Sequence, residues 1–240
     1  MSIIDIKKIK NERELLEKAQ WLVGKTLEEI ESEIKKSDDI SRVKSKANVG
    51  YVIEKGFFGI KKNSDATPDI EHLGVEIKTC PLKYNKNGTL TVKEPLSLNI
   101  INYMTEVKNK DKKLINSSLY RKNRKILFVF YIHSGALRSK YMIKYVFLWE
   151  IDTKVIEELE PDYKLILDMI EKGEAHNIHQ SQHEYLTLCP KHGGKYNNPT
   201  CKKSKREQPF SPIPAEIRAF RIKNSYLNII IDRCIGFEPI

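Results

Sequence analysis

The stretch TPDIEHLGVEIKT, residues 67–79, sets Asp69, Glu76 and Lys78 in an otherwise apolar, turn-bounded segment. Read as a strand, VEIKT sends side chains two apart to the same side, roughly 6.5–7 Å from one another. Glu76 and Lys78 then project together while Val75 and Ile77 enter the core. Pro68 and Pro81 bracket the segment and Gly74 starts it, which argues against a helix. Asp69, on the incoming segment, reaches the same place after a bend at EHLG. Two carboxylates are the hard oxygen donors that hold Mg²⁺, an ion that keeps several waters and bridges to phosphate. Such an ion lowers the pKa of a bound water and offsets charge developing on phosphoryl oxygens. An ammonium beside it stabilises a pentavalent phosphorane or orients the attacking hydroxide. The chemistry implied is phosphodiester hydrolysis. In a chain that is 31% charged, the same spacing also arises on a plain solvated strand face. The surrounding elements therefore decide its weight.

Upstream, NERELLEKAQWLV (11–23) has apolar side chains at 15, 16, 19, 22 and 23, the spacing of an amphipathic helix closed by Gly24. TLEE opens a second helix as a capping box of Thr26 and Glu29. A third helix is expected over about 47–56, with Val49, Val52 and Ile53 inward and Glu54 one position further round. NSDATP breaks the helical pattern. Beyond it, LTVKEPLSLNIINY (90–103) reads as one strand interrupted by Pro95, a residue that points to an edge or a bulge. KILFVFYIH (125–133) reads as a central strand and KYVFLWEI (144–151) as another. PDYKLILDMIEKGEAH (161–176) is helical, with Leu165, Ile166, Met169 and Ile170 on one face. SYLNIIIDRCI (225–235) fits helix or strand. Trp21 and Trp149 are read as core residues. The economical architecture is a single mixed α/β domain over residues 1–240, a central mixed sheet flanked by helices.

The 240-residue chain carries a formal charge of +10, which favours a polyanionic partner. Residues 101–145 hold eleven Lys or Arg against two acids, and residues 191–224 nine against two. Between them, residues 150–190 hold ten acids and three Lys or Arg. No apolar run approaches the ~20 residues of a membrane span, and the charged start does not read as a signal peptide. Four irregularly spaced cysteines suit reduced thiols and a cytoplasmic setting. His176, His179, His183 and His192 cluster near Cys189 and Cys201, and the pair Cys189 and His192 followed by Cys201 could hold zinc. A loop near a polyanion is the simpler reading. Lys191, Lys195, Lys202, Lys203, Lys205 and Arg206 are the phosphate-neutralising candidates there. Arg121, Arg124 and Lys125, before the central strand, are further backbone-contact candidates.

The motif PDIEHLGVEIKTCPL resembles the MutH-type branch of the PD-(D/E)xK nucleases, which includes the DNA-nicking protein of methyl-directed mismatch repair and restriction endonucleases that cut at GATC. The resemblance extends across most of the chain. KANVGYVIEKGFFG (46–59) looks like the family's acidic helix, LSLNIINY (96–103) like the restriction enzymes, HEYLTLCPKH (183–192) like a recognition segment, and IRAFRIKNSYL (217–227) like the C-terminal DNA-facing element. It implies a restriction-endonuclease-like fold and a Mg²⁺-dependent endonuclease on double-stranded DNA, with Mn²⁺ substituting. Asp69 and Glu76 are then metal ligands, Lys78 the catalytic lysine, Glu54 a supporting acid and Lys46 a residue near the scissile phosphate. Lys191 falls at a base-reading position, and Arg221, Lys223, Arg121, Arg124, Lys202 and Lys203 join it as DNA contacts. Two departures stand out: Cys189 replaces an arginine, and one extra residue separates Glu54 from Gly59. Composition and LNIINY favour a type II restriction enzyme over a mismatch-repair nickase. A non-catalytic DNA-binding module is the alternative from another class. The restriction reading carries either dimerisation on the palindrome or a missing C-terminal half.

Overall fold

The first two helices begin where side chains can satisfy their free amides. Asn11 accepts the Glu14 amide at 2.9 Å and opens α1 (Glu12–Ala19). Thr26 and Glu29 cap α2 (Leu27–Ser37) reciprocally: the Thr26 amide donates to Glu29 Oε2 at 2.7 Å, and the Glu29 amide to Thr26 Oγ1 at 3.3 Å. Gly24, at φ +80°, ends the first helical segment as expected. Leu15, Ala19, Leu22, Leu27, Ile30 and Ile34 are buried. Trp149 is also buried, but Trp21 is not core. It is 38% exposed, stacked on Phe57, with Lys25 Nζ 4.4 Å from its ring centroid. These coordinates come from a computed structural model that describes residues 3–37, 49–60, 66–135, 137–191 and 205–235.

The third helix leaves α geometry after one turn. α3 (Val49–Tyr51) continues as a π-helix over Val52–Phe57, in which the Phe58 amide donates five residues back to the Ile53 carbonyl at 3.0 Å. The wider π turn takes up one residue more than an α turn, which matches the extra residue expected between Glu54 and Gly59. Gly56 permits close packing, since a Cβ there would stand 2.6 Å from Ile34 Cδ1 of α2.

Strands follow, with two corrections to the boundaries. β1 (Val75–Tyr84) does not stop at Pro81 but runs through it. The Pro81 carbonyl accepts from the Lys93 amide, and N and C=O of one strand residue point the same way. The missing N–H therefore faces away from the parallel partner, and no bond to it is lost. Pro95 does not interrupt one strand but separates two, β2 (Leu90–Val92) and β3 (Leu96–Ile100), which belong to different sheets. β4 (Lys125–Ile132) and β5 (Met142–Glu150) lie where the apolar runs place them. The order β2-β1-β4-β5 makes β4 an inner strand, parallel to β1 and antiparallel to β5. Ile126 to Phe130 are wholly buried. Leu127 and Val129 pack with Val75, Ile77 and the helices, while Phe128 and Phe130 meet Phe147 on the other face. Each such side chain contributes about 1.5–3 kcal/mol by leaving water.

The chain divides into two compact units. The first is drawn from Met1–Glu94, Lys125–Glu150 and Cys234–Ile240, the second from Pro95–Arg124 and Ile151–Arg233. In the second, short helices α4 (Tyr103–Glu106) and α5 (Ser118–Asn123) precede α6 (Thr153–Glu171). α6 starts at its Asp152 cap and not at Pro161, which lies inside it, because Val155 and Leu159 extend the buried stripe upstream. Leu165 is 48% exposed and outside that stripe, whereas Ile166 and Ile170 are in it. β6 (Leu186–Pro190), the hairpin β7 (Lys205–Gln208) and β8 (Ser211–Glu216), and β9 (Arg218–Ile222) come next. β9 is the middle strand of an antiparallel β3-β9-β6 sheet. The undecided C-terminal element is a helix, α7 (Asn224–Ile235). The architecture is α/β with a mixed sheet and helices, as expected. No helix among the described residues is long and apolar enough to cross a membrane.

Candidate active site

A reverse turn builds the acidic site in the first unit. Ile70 and Val75 exchange backbone hydrogen bonds at 2.9 and 3.2 Å around a 3₁₀ turn at Glu71–Leu73. Gly74 closes the turn at φ +66°, in the left-handed region that favours glycine. This folds Asp69 back beside β1. The Asp69 amide donates to Glu76 Oε2 at 3.1 Å, and the Ile77 amide donates to Asp69 Oδ2 at 2.9 Å. Lys78 Nζ donates to Glu76 Oε1 at 2.5 Å. The spacing i, i+2 places that pair on one side of the strand, as expected. One feature differs: Glu76 is not a solvated face residue but only 2% exposed. A carboxylate so far out of water needs the amide and the ammonium that meet it. Lys78 remains partly open, with 21% of its side chain exposed.

Asp69 Oδ1 has no hydrogen-bond donor among the described residues. Asp69 Oδ1, beside the carboxylate of Glu76, suits a hard divalent cation that retains water. Among the described residues no third Asp, Glu, His or Cys completes a larger metal-holding set. Glu54, half-buried on the π segment, is thus not brought into one with them. Lys46 lies outside the described residues. Two positions further along β1, burial pushes the Cys80 thiol up to about 12, an inert structural cysteine.

In the second unit the basic candidates differ in what they have to offer. Arg121 and Arg124, at the end of α5, are exposed; Arg121 Nη1 donates to the Asn116 carbonyl, and the Arg124 guanidinium lies 6.0 Å from the Tyr120 ring centroid. Lys191 is exposed directly after β6, where its amide donates to the Ile217 carbonyl at 2.8 Å. Arg221 is half-buried within β9, with Nε buried and unpartnered among the described residues. Lys223 Nζ is bonded to the His183 carbonyl. Lys202 and Lys203 lie outside the described residues, as do His192 and Cys201 of the zinc reading. Cys189 is buried, its Sγ 3.7 Å from Ser97 Oγ.

Sequence reading missed the buried charges of this unit, Glu106, Asp162 and Arg218. Asp162 accepts from the amides of Glu184, Tyr185 and Leu186 at 2.7–2.8 Å and fastens the start of β6. Arg218 is 5% exposed and donates to the carbonyls of Ala175, His176 and Ile178. For Arg218 the signal was a lone charge inside the apolar run IRAF; Asp162 shares its stretch PDYKLIL with Lys164 and gave none. Burial also holds the His183 imidazole below its ordinary pKa, despite the opposing effect of Asp162.

A mixed sheet with an acid–acid–lysine set at one strand offers the groups of a metal-assisted hydrolytic site, and comparison with known proteins shows what the chain as a whole is similar to. Residues 58–162 match the family described as "MutH: DNA mismatch repair enzyme MutH", a stretch that contains Asp69, Glu76, Lys78 and all of β1 to β5. The type II restriction enzyme Sau3AI of Staphylococcus aureus is 36% identical over 200 residues, covering 82% of this chain and 39% of that enzyme. The DNA mismatch repair protein MutH of Actinobacillus pleuropneumoniae is 29% identical over 184 residues, 75% of this chain and 77% of that protein. Its counterpart in Haemophilus influenzae is 28% identical over 180 residues, with shares of 74% and 77%. Through residues 58–162, less than half of its length, this chain is similar to the MutH family. It spans about two fifths of the length of the Sau3AI enzyme.

Proposed function

We propose that the chain is a site-specific endonuclease for double-stranded DNA of the type II restriction class, Mg²⁺-dependent, with GATC as its target. Residues 1–240 are read as one catalytic domain of the PD-(D/E)xK type. The observation that carries this is the bonded set of Asp69, beside β1, with Glu76 and Lys78 on it, in a chain 36% identical over 200 residues to a restriction enzyme.

Asp69 and Glu76 would hold Mg²⁺, with Mn²⁺ as a substitute. Such an ion, when bound, supplies an acidified water and offsets phosphoryl charge. The protein's own share starts with Glu76, whose burial keeps its carboxylate in one orientation. The Ile77 amide does the same for Asp69. Lys78 spends one N–H on Glu76 and retains two for a water or a phosphate oxygen. Glu54 acts as a supporting acid, and Lys46 near the scissile phosphate. Lys191, Arg221, Lys223, Arg121, Arg124, Lys202 and Lys203 are read as DNA contacts. The exposed Arg121, Arg124 and Lys191 are the readiest of these for phosphate contact. A GATC palindrome suits two-fold engagement by two copies or by a further half-enzyme, and the 39% coverage of Sau3AI favours that view. DNA as substrate suits a cytoplasmic location.

The test is incubation of purified protein with GATC-containing plasmid and Mg²⁺. Linear products at GATC support the restriction reading, and intact plasmid in both Mg²⁺ and Mn²⁺, methylated or not, defeats it. A mismatch-repair nickase is the second reading, favoured by the 77% coverage of the MutH relatives. It predicts nicked circles stimulated by partner proteins. A purely DNA-binding module predicts retention without cutting.

A further inference from the structure

The second unit holds a cavity of about 480 Å³ among the 176–180 turns, the end of β6 and the β7–β8 hairpin. That volume falls within the roughly 300–1,000 Å³ of small-ligand sites. Its lining includes His176, Lys205 and Arg218, with Glu216 as its one acid. Arg218 directs its Nη groups to three backbone carbonyls, which are neutral, and meets the Glu216 carboxylate at 3.9 Å. Its Nε is buried without a partner among the described residues. Exposed Lys205 adds a second positive charge, so cations outnumber acids in the lining.

His176 is fixed in one tautomer. The buried Gln208 amide accepts the Ala175 amide on Oε1 at 2.7 Å, which leaves Nε2 to donate. Nε2 meets the Ile213 carbonyl at 2.5 Å and His176 Nδ1 at 2.8 Å. Nδ1 must therefore accept, and the ring proton sits on Nε2. This leaves an N–H donor on a cavity-lining ring. Leu188 and Pro214 supply apolar lining. Donors and positive charge beside apolar surface match a ligand with acceptor-only, anionic oxygens at one end and a flat, weakly polar body at the other.

We propose that this cavity binds a nucleotide unit, with its phosphate at His176, Lys205 and Arg218 and its sugar or base along Leu188 and Pro214. The unit comes either from a DNA strand or from a free nucleotide. The site uses no residue of the Asp69 set, so the proposal stands or falls apart from the hydrolytic reading.

The test uses the full chain in EDTA, where hydrolysis is suppressed. Calorimetry follows titration with dAMP, with deoxyadenosine and with a short single-stranded oligonucleotide, and NMR follows the His176 ring. Saturable binding of dAMP about tenfold or more tighter than deoxyadenosine is expected for a site whose affinity comes from charge-assisted bonds. Saturation by dAMP assigns a free nucleotide, and saturation by the oligonucleotide alone assigns a strand. His176→Ala removes a Gln208 partner and can loosen the hairpin, so exposed Lys205→Ala is the deciding variant. It should weaken whichever ligand saturates by roughly fivefold at unchanged Tm. Saturation by deoxyadenosine as tight as by dAMP, no saturation by either phosphorylated probe, or indifference to Lys205→Ala overturns the proposal.

Discussion

Glu76 is the residue on which the first unit's chemistry and its stability meet. It is almost entirely buried, accepts from the Asp69 amide and holds the Lys78 ammonium. Glu76→Ala should reduce plasmid cleavage by about 10³-fold or more while duplex affinity in a gel-shift assay changes only a few-fold, because charge stabilisation at the reacting phosphate is lost and distant phosphate contacts remain. Cleavage within tenfold of the parent would remove Glu76 from the mechanism. The same change strips Lys78 of its partner and should lower unfolding free energy by about 1–3 kcal/mol in urea. The pair itself was legible in the sequence, since side chains two apart on a strand share a side. The burial of Glu76 was not. It depends on β4 lying against β1 along Val75–Leu82 and on the returning turn, neither of which the spacing of three charges encodes.

At the scale of elements, two glycines carry the geometry. Gly74 sits at φ +66° in the turn that returns Asp69 to β1. Gly74→Ala should cost about 1–2 kcal/mol of stability and reduce cleavage at a given Mg²⁺ concentration, with raised Mg²⁺ restoring part of it. A variant that loses stability yet cleaves normally would uncouple the turn from the site. Gly56 lies in the π segment against α2, where an added Cβ would stand 2.6 Å from Ile34 Cδ1. Gly56→Ala should destabilise by about 1–3 kcal/mol through overpacking, and adding Ile34→Val should recover part of that in the same denaturation assay. No recovery would place the strain elsewhere. The caps at Asn11 and Thr26 were readable because a cap acts over three residues. The π turn showed only as a surplus residue, and the long start of α6 was hidden by Pro161, whose helix-breaking tendency the buried Val155 and Leu159 outweigh.

The molecule as a whole responds to salt and pH through its charge pattern. If Arg121, Arg124 and Lys191 meet DNA phosphates, each alanine substitution should flatten the plot of log affinity against log salt by about one unit for every sequence tested alike. An unchanged slope in fluorescence titrations removes that residue from the backbone contacts. In the second unit, Glu158 of α6 takes a forked contact from Arg233 of α7 at 2.6 and 2.8 Å. The Arg233 hydrogen bond, aided by Tyr226, lowers the Glu158 carboxyl to about 2 from an ordinary 4.5. The unfolded chain therefore takes the proton first: stabilisation is complete above pH 4.5 and is lost as pH falls towards 2. With Arg233 about one third exposed, screening leaves about 1 kcal/mol of it. Glu158→Gln should flatten the acid limb of the stability curve by that amount, and an unchanged limb would show that other groups govern it.

By itself, the sequence determined what acts over a few residues. Helix caps, the alternation of VEIKT, the apolar runs of β4 and β5 and the motifs that resemble the MutH family are all local in this sense. Tertiary structure alone decided which distant groups share a dry space. Glu76 became a buried carboxylate only when β4 and the Gly74 turn enclosed it. Gln208, itself oriented by the Ala175 amide and the Ile213 carbonyl, fixed the His176 tautomer from more than thirty residues away. Desolvation and long-range hydrogen bonds arise from strand pairing, and spacing along a chain carries no record of which strands will meet.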